Sequence, residues 1–151
     1  MMDIIERYEP QGGSSGLGYI QGSKKINPDE WFFKAHFYQD PVVPGSLGLE
    51  SFLQLLKFLA SERWGSPGEQ GWQAVALNES HEWLYRGQVI PSTHLVTIEA
   101  VVTAVDEAAQ LLTAEGFLAV DGRVIYGMKK FTVQPVVRSM PLTSQTCAGS
   151  V

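Results

Sequence analysis

From Ser46 to Arg63 the chain reads SLGLESFLQLLKFLASER, with Leu or Phe at 47, 49, 52, 53, 55, 56, 58 and 59. At 3.6 residues per turn this places apolar side chains on nearly every side, so the segment predicts a helix buried inside the molecule. Such a helix dictates its surroundings, because something must wrap it. Its polar exceptions, Glu50, Gln54, Lys57 and Ser61, recur at i, i+4, i+7 and i+11 and form a single stripe. A carboxylate near the start of a buried helix needs a reason.

The wrapping is legible on both sides of the helix. Residues 1–9 open a short helix or strand, PQGGSSG is a loop, and Leu17–Ile26 alternates as a strand. Asn27-Pro28-Asp29-Glu30 has the form of a helix start, with Asn as cap and Pro at the first helical position. Pro41 and Pro44 forbid helix after His36 and leave an extended approach to Gly45. Beyond the helix, Trp72–Tyr85, Val89–Val105, Gln110–Val120 and Arg123–Val133 read as strands, and Asp121-Gly122 is the strongest hairpin signal. Strands without helices between them predict an antiparallel sheet, and one buried helix plus one such sheet is an α+β two-layer arrangement.

A chain of 151 residues fits one domain, expected at 1–134, with the small and polar residues 135–151 as a tail. Sixteen acidic against eleven basic residues give a net charge of −5, which argues against nucleic acid or an anionic membrane as partner. The one cysteine, Cys147, excludes an internal disulfide and suits a reducing compartment. Acids at 3, 6 and 9 interrupt any signal-like start, and no apolar run reaches the roughly 20 residues of a membrane span. A cytoplasmic location is expected. His81 and His94 stand at no ligand spacing to His36 or Cys147, so no metal site is expected, and no phosphate- or dinucleotide-binding glycine motif is present. Lys129, Lys130 and Arg138 read as a solvated face rather than a docking patch.

His36 and Glu50 are the acid–base candidates. An imidazole takes a proton near neutral pH, and a carboxyl group in apolar surroundings keeps one. The plainer reading is a core histidine and a helix-dipole acid. Gly45 and Ser46 offer amide N–H groups to an oxyanion, against the plainer reading of Ser46 as a cap.

The core H-F-x-x-D-P-V-x-P-G-x-L-G-L at 36–49, together with GLGY at 16–19, INPDEWFF at 26–33, RGQVIP at 86–91 and VDGRVIY at 120–126, resembles the β-hydroxyacyl-(acyl carrier protein) dehydratases. The likeness is to the 3-hydroxydecanoyl branch and to the dehydratase domains of polyunsaturated fatty acid and polyketide synthases. It implies a hot-dog fold, a long helix wrapped by a curved antiparallel sheet, working as a homodimer or double hot dog on acyl-carrier-bound 3-hydroxyacyl thioesters without a cofactor. By resemblance His36 is the base, Glu50 the acid supplied across the dimer, Gly45 the oxyanion donor with Ser46 nearby, Gln54 the support of Glu50, and the Val42 carbonyl the holder of the imidazole. The resemblance also implies a cis peptide at His36-Phe37. Glu50 stands where the decanoyl branch carries Asp, which leaves 2,3-isomerisation open. The segment TAVDEAA at 103–109 is acidic where that branch has a basic carrier-docking hairpin. A hot-dog thioesterase and a non-catalytic dimerisation module are the alternatives.

Overall fold

The computed structural model describes residues 2–66 and 71–136. Its elements run β1 (Ile4–Glu9), β2 (Tyr19–Lys25), α1 (Trp31–Ala35), α2 (Gly45–Trp64), β3 (Trp72–Gln73), β4 (Glu82–Tyr85), β5 (Leu95–Asp106), β6 (Leu111–Val120) and β7 (Arg123–Pro135). The sheet is antiparallel throughout, in the order β1-β2-β5-β6-β7-β3, with β4 also paired to β7. It curls around α2 as a hot-dog fold, and α2 buries Phe52, Leu55, Leu56, Leu59 and Ala60 against Ile20, Ile98, Val102, Leu112, Leu118, Met128 and Phe131. Each large side chain so buried contributes about 1.5–3 kcal/mol.

Local chemistry sets the corners. Asp106 accepts from the amides of Ala108 and Ala109 and turns β5 into β6. At Asp121-Gly122 both residues have positive φ, 47° and 86°, the geometry of a two-residue hairpin. The Asp121 carboxylate reaches across to the Leu95 and His94 amides, tying that hairpin to the start of β5.

Three expectations are corrected. The helix start expected at Asn27 is an Asx turn, with Asn27 accepting from the Asp29 amide, and α1 begins only at Trp31. The single strand expected over 72–85 is two short strands on the same edge of β7, interrupted around Asn78, whose φ is +64°. The strand expected from Val89 begins at Leu95. In place of its first part, the Arg86 amide bonds to the Ile125 carbonyl and the Val89 carbonyl accepts from the Val43 amide. This loop is what fastens the approach to α2 onto the sheet. The tail expected at 135–151 lies, from 137, outside the described residues, as do Arg138 and Cys147.

Candidate functional site

Pro41 and Pro44 hold the residues before α2 extended, and Val42 and Val43 are fully buried beneath them. The Val42 carbonyl is thereby fixed, and it accepts a hydrogen bond from His36 Nδ1 at 3.1 Å. A carbonyl only accepts, so Nδ1 carries the proton and the neutral ring presents Nε2 as a base. His36 itself closes α1, its amide bonded to the Phe32 carbonyl, and its ring packs on Phe37. The His36-Phe37 peptide is not cis, since no cis bond occurs among the described residues. The chain turns there through positive φ at Phe37 and Gln39, both +61°. Phe37 and Tyr38, which follow the histidine, and Trp31, at the start of α1, are left exposed.

Helix α2 starts at Gly45 with Pro44 as its cap residue and no side-chain cap, so Ser46 does not cap it. The Gly45 and Ser46 amides lie at the positive end of the helix, while the Leu47 amide is already bonded to the Pro44 carbonyl. Gly45 and Gly48 have a second role. A Cβ on Gly45 would stand 2.7 Å from Tyr85 Cε2, and one on Gly48 would stand 2.5 Å from Tyr126 Cε2. Glycine at i and i+3 thus lets two flat rings lie on the first turn of α2.

Those rings belong to an aromatic cluster that sequence reasoning missed. Trp83 pairs with Met128 and Tyr85 with Tyr126 across β4 and β7, which places Trp83, Tyr85 and Tyr126 on the helix-facing side. Tyr85 and Tyr126 lie 4.8 Å apart, and Trp83 meets both edge-on at 5.8 Å. Tyr126 is 1% exposed, Trp83 and Tyr85 37% and 44%. Burial, and then the Tyr85 phenol beside it, push Tyr126 above the ordinary tyrosine range. The glycine pair in PGSLGL and the alternation Trp83-Leu84-Tyr85 were the available signals.

Glu50 departs from expectation. Its side chain is 42% exposed and its carboxylate lies 3.8 Å from Lys57 Nζ, so α2 is not buried on every side. The stripe Ser46, Glu50, Gln54, Lys57, Ser61 is the uncovered side, with Ser46 and Gln54 exposed and the others half-buried. Among the described residues no hydrogen bond or ion pair joins His36 to Glu50 within one chain. His81 stacks on Phe131 and His94 is exposed beside Asp121. Among the described residues no group of three or more His, Cys, Asp or Glu is placed to hold a metal ion. A cleft of about 290 Å³ lies at the far end of α2, lined by Tyr8, Leu59, Glu62 and Arg63. It contains neither His36 nor Glu50.

No helix among the described residues is long and apolar enough to cross a membrane. A mutant of the phenylacetic acid degradation protein PaaI from Thermus thermophilus superposes with a TM-score of 0.55 at 16% identity, over 88% of this chain and 92% of that one. A hypothetical thioesterase with coenzyme A from Streptococcus pneumoniae does so with 0.56 at 14%, over 89% and 86%. These likenesses speak to the fold alone. In sequence, the chain is 35% identical over 142 residues to a polyunsaturated fatty acid synthase subunit of Thraustochytrium sp., a match that covers 91% of this chain but only 9% of that protein. The profile of the FabA-like domain matches residues 1–129, and the chain belongs to the FabA-like domain family.

Proposed function

We propose that the chain dehydrates 3-hydroxyacyl thioesters to trans-2-enoyl thioesters, with His36 as base and Glu50 of a second copy as acid. The observation that carries this reading is the Val42 carbonyl on His36 Nδ1, which leaves Nε2 free to take a proton. In the forward direction Nε2 removes the α-proton, and charge develops on the thioester oxygen beside the Gly45 and Ser46 amides. The C–O bond then breaks as Glu50 delivers its proton to the 3-hydroxyl, which leaves as water. The proton on His36 returns to Glu50 by way of solvent, and no external electron donor is required.

A second copy is part of the proposal because Glu50 meets no histidine in its own chain. The uncovered stripe of α2 and the exposed Trp31, Phe37 and Tyr38 supply the kind of surface that a homodimer or double hot dog would cover. Gln54, one turn beyond Glu50 on that stripe, is assigned the role of orienting it. The substrate is proposed to arrive on an acyl carrier protein, as befits a likeness to part of a much longer synthase. A tethered carrier has a high effective concentration and needs little docking affinity at the acidic 103–109 turn.

The test is hydration of an enoyl pantetheine thioester, with release of free thiol followed in parallel. The wild type should form the 3-hydroxyacyl product. His36→Ala should lose at least about a hundredfold in kcat, the scale of a positioned general base. Turnover retained by His36→Ala defeats the assignment, and thiol release without hydration favours the thioesterase.

A further inference from the structure

We propose that the Tyr126 hydroxyl contacts substrate, donating a hydrogen bond to an oxygen of the acyl thioester bound at the start of α2. The inference rests on the dehydratase reading and adds to it a residue to which that reading gives no part.

The Tyr126 hydroxyl is buried with no hydrogen bond of regular geometry, and the polar group nearest it is the phenol of the half-exposed Tyr85, which interacts with it only weakly. A phenylalanine would fill the same space, and a buried hydroxyl so poorly satisfied costs free energy until a better acceptor arrives. Its position says which acceptor. The edge of the ring that leads to the hydroxyl lies on Gly48, where a Cβ would be 2.5 Å from Cε2 and 3.3 Å from Cζ. Tyr126 is therefore packed against the first turn of a 20-residue helix whose N-terminus has no side-chain cap. The ring packs on Gly48, Trp83 and Tyr85, none of them cationic, and although Arg86 lines a small cleft with Tyr126 no cation bears on the hydroxyl, so the site suits a neutral oxygen rather than a carboxylate or phosphate. The thioester carbonyl and the 3-hydroxyl are both such oxygens.

Access runs past Tyr85. That ring stacks on Tyr126 from β4, an edge strand of four exposed residues, and it is itself 44% exposed. Tyr85, which also lies against Gly45, is the ring that a substrate oxygen would have to displace to reach the Tyr126 hydroxyl.

Binding is measured by calorimetry in the His36→Ala background, which prevents turnover, with two probes: an acyl pantetheine and its 3-hydroxyacyl counterpart. Adding Tyr126→Phe should weaken binding about three- to tenfold, the scale of one neutral hydrogen bond. The variant should melt at or above its parent's temperature. Weakening of both probes identifies the carbonyl as acceptor, and weakening of the 3-hydroxyacyl probe alone identifies the hydroxyl. Unchanged affinity for both, whatever the melting temperature, overturns the proposal, as does failure of the parent to bind either probe at millimolar concentration. Should Tyr126→Phe fail to fold, titration of His36→Ala alone by tyrosine difference absorbance decides: a red-shifted band is expected, and its absence overturns the proposal. A wild type that binds but never hydrates an enoyl thioester defeats the dehydratase reading and leaves this contact standing.

Discussion

Two glycines three residues apart do different work at the start of α2. A methyl group on Gly48 would press on Tyr126 and Leu118, both fully buried and unable to withdraw, whereas one on Gly45 would press on the half-exposed Tyr85. Gly48→Ala should therefore destabilise the fold by about 1–3 kcal/mol of overpacking, less up to about 1 kcal/mol returned by helix propensity. Gly45→Ala should cost less than about 1 kcal/mol, because Tyr85 yields into solvent. Urea unfolding of the two variants checks the order, and a Gly45 variant less stable than the Gly48 variant would count against a rigid Tyr126. At this scale the sequence was uneven. The motif around His36 located the imidazole and its Val42 carbonyl, since both lie within seven residues of one proline-ruled segment. The aromatic cluster stayed hidden because it depends on pairing β4 with β7, some forty residues away, in a register that no local pattern specifies.

The long elements declared themselves, as did β2, and the shortest ones did not. Helix α2 and strands β5, β6 and β7 were legible because their apolar patterns extend over ten residues or more and end at Asp106 and Asp121-Gly122. β3 and β4, two and four residues long, follow from pairing with β7 rather than from their own sequence. The β5–β6 turn is fastened to the end of α2. Glu107 accepts from the guanidinium of Arg63 and, at 2.6 Å, from the Trp64 indole, so an acidic residue in the turn is used within the chain. Those bonds, Arg63 first and Trp64 second, hold the Glu107 carboxyl below its ordinary value of 4.5. A depressed folded-state value means that the clasp stabilises fully above that ordinary value and is lost as pH falls through the lower folded one. Thermal melts should show wild type above Glu107→Gln at pH 7, with the gap shrinking as the pH is lowered below the ordinary carboxyl value. A gap that persists in acid would mean that the carboxylate charge contributes nothing.

At the scale of the whole fold, the described residues form a curved sheet closed over one side of α2 and open on the other. The closed side is what the apolar periodicity predicted. The open side is why Glu50, expected in an apolar site, stands half-exposed beside Lys57. Sequence periodicity weighs only apolar and polar positions, so it cannot distinguish a face covered by the chain's own sheet from one left for another molecule. In the proposed enzyme that face meets a second copy and brings Glu50 to the partner's histidine. His36→Ala and Glu50→Gln each remove one half of every site in a homodimer, yet a mixed dimer retains one intact site. The most direct measurement is hydration of an enoyl thioester after the two inactive variants are unfolded together and refolded in equal amounts. Recovery of about a quarter of wild-type activity is predicted, from half the dimers being mixed and each carrying one working site of two. A mixture no more active than either variant alone would contradict a site shared between chains.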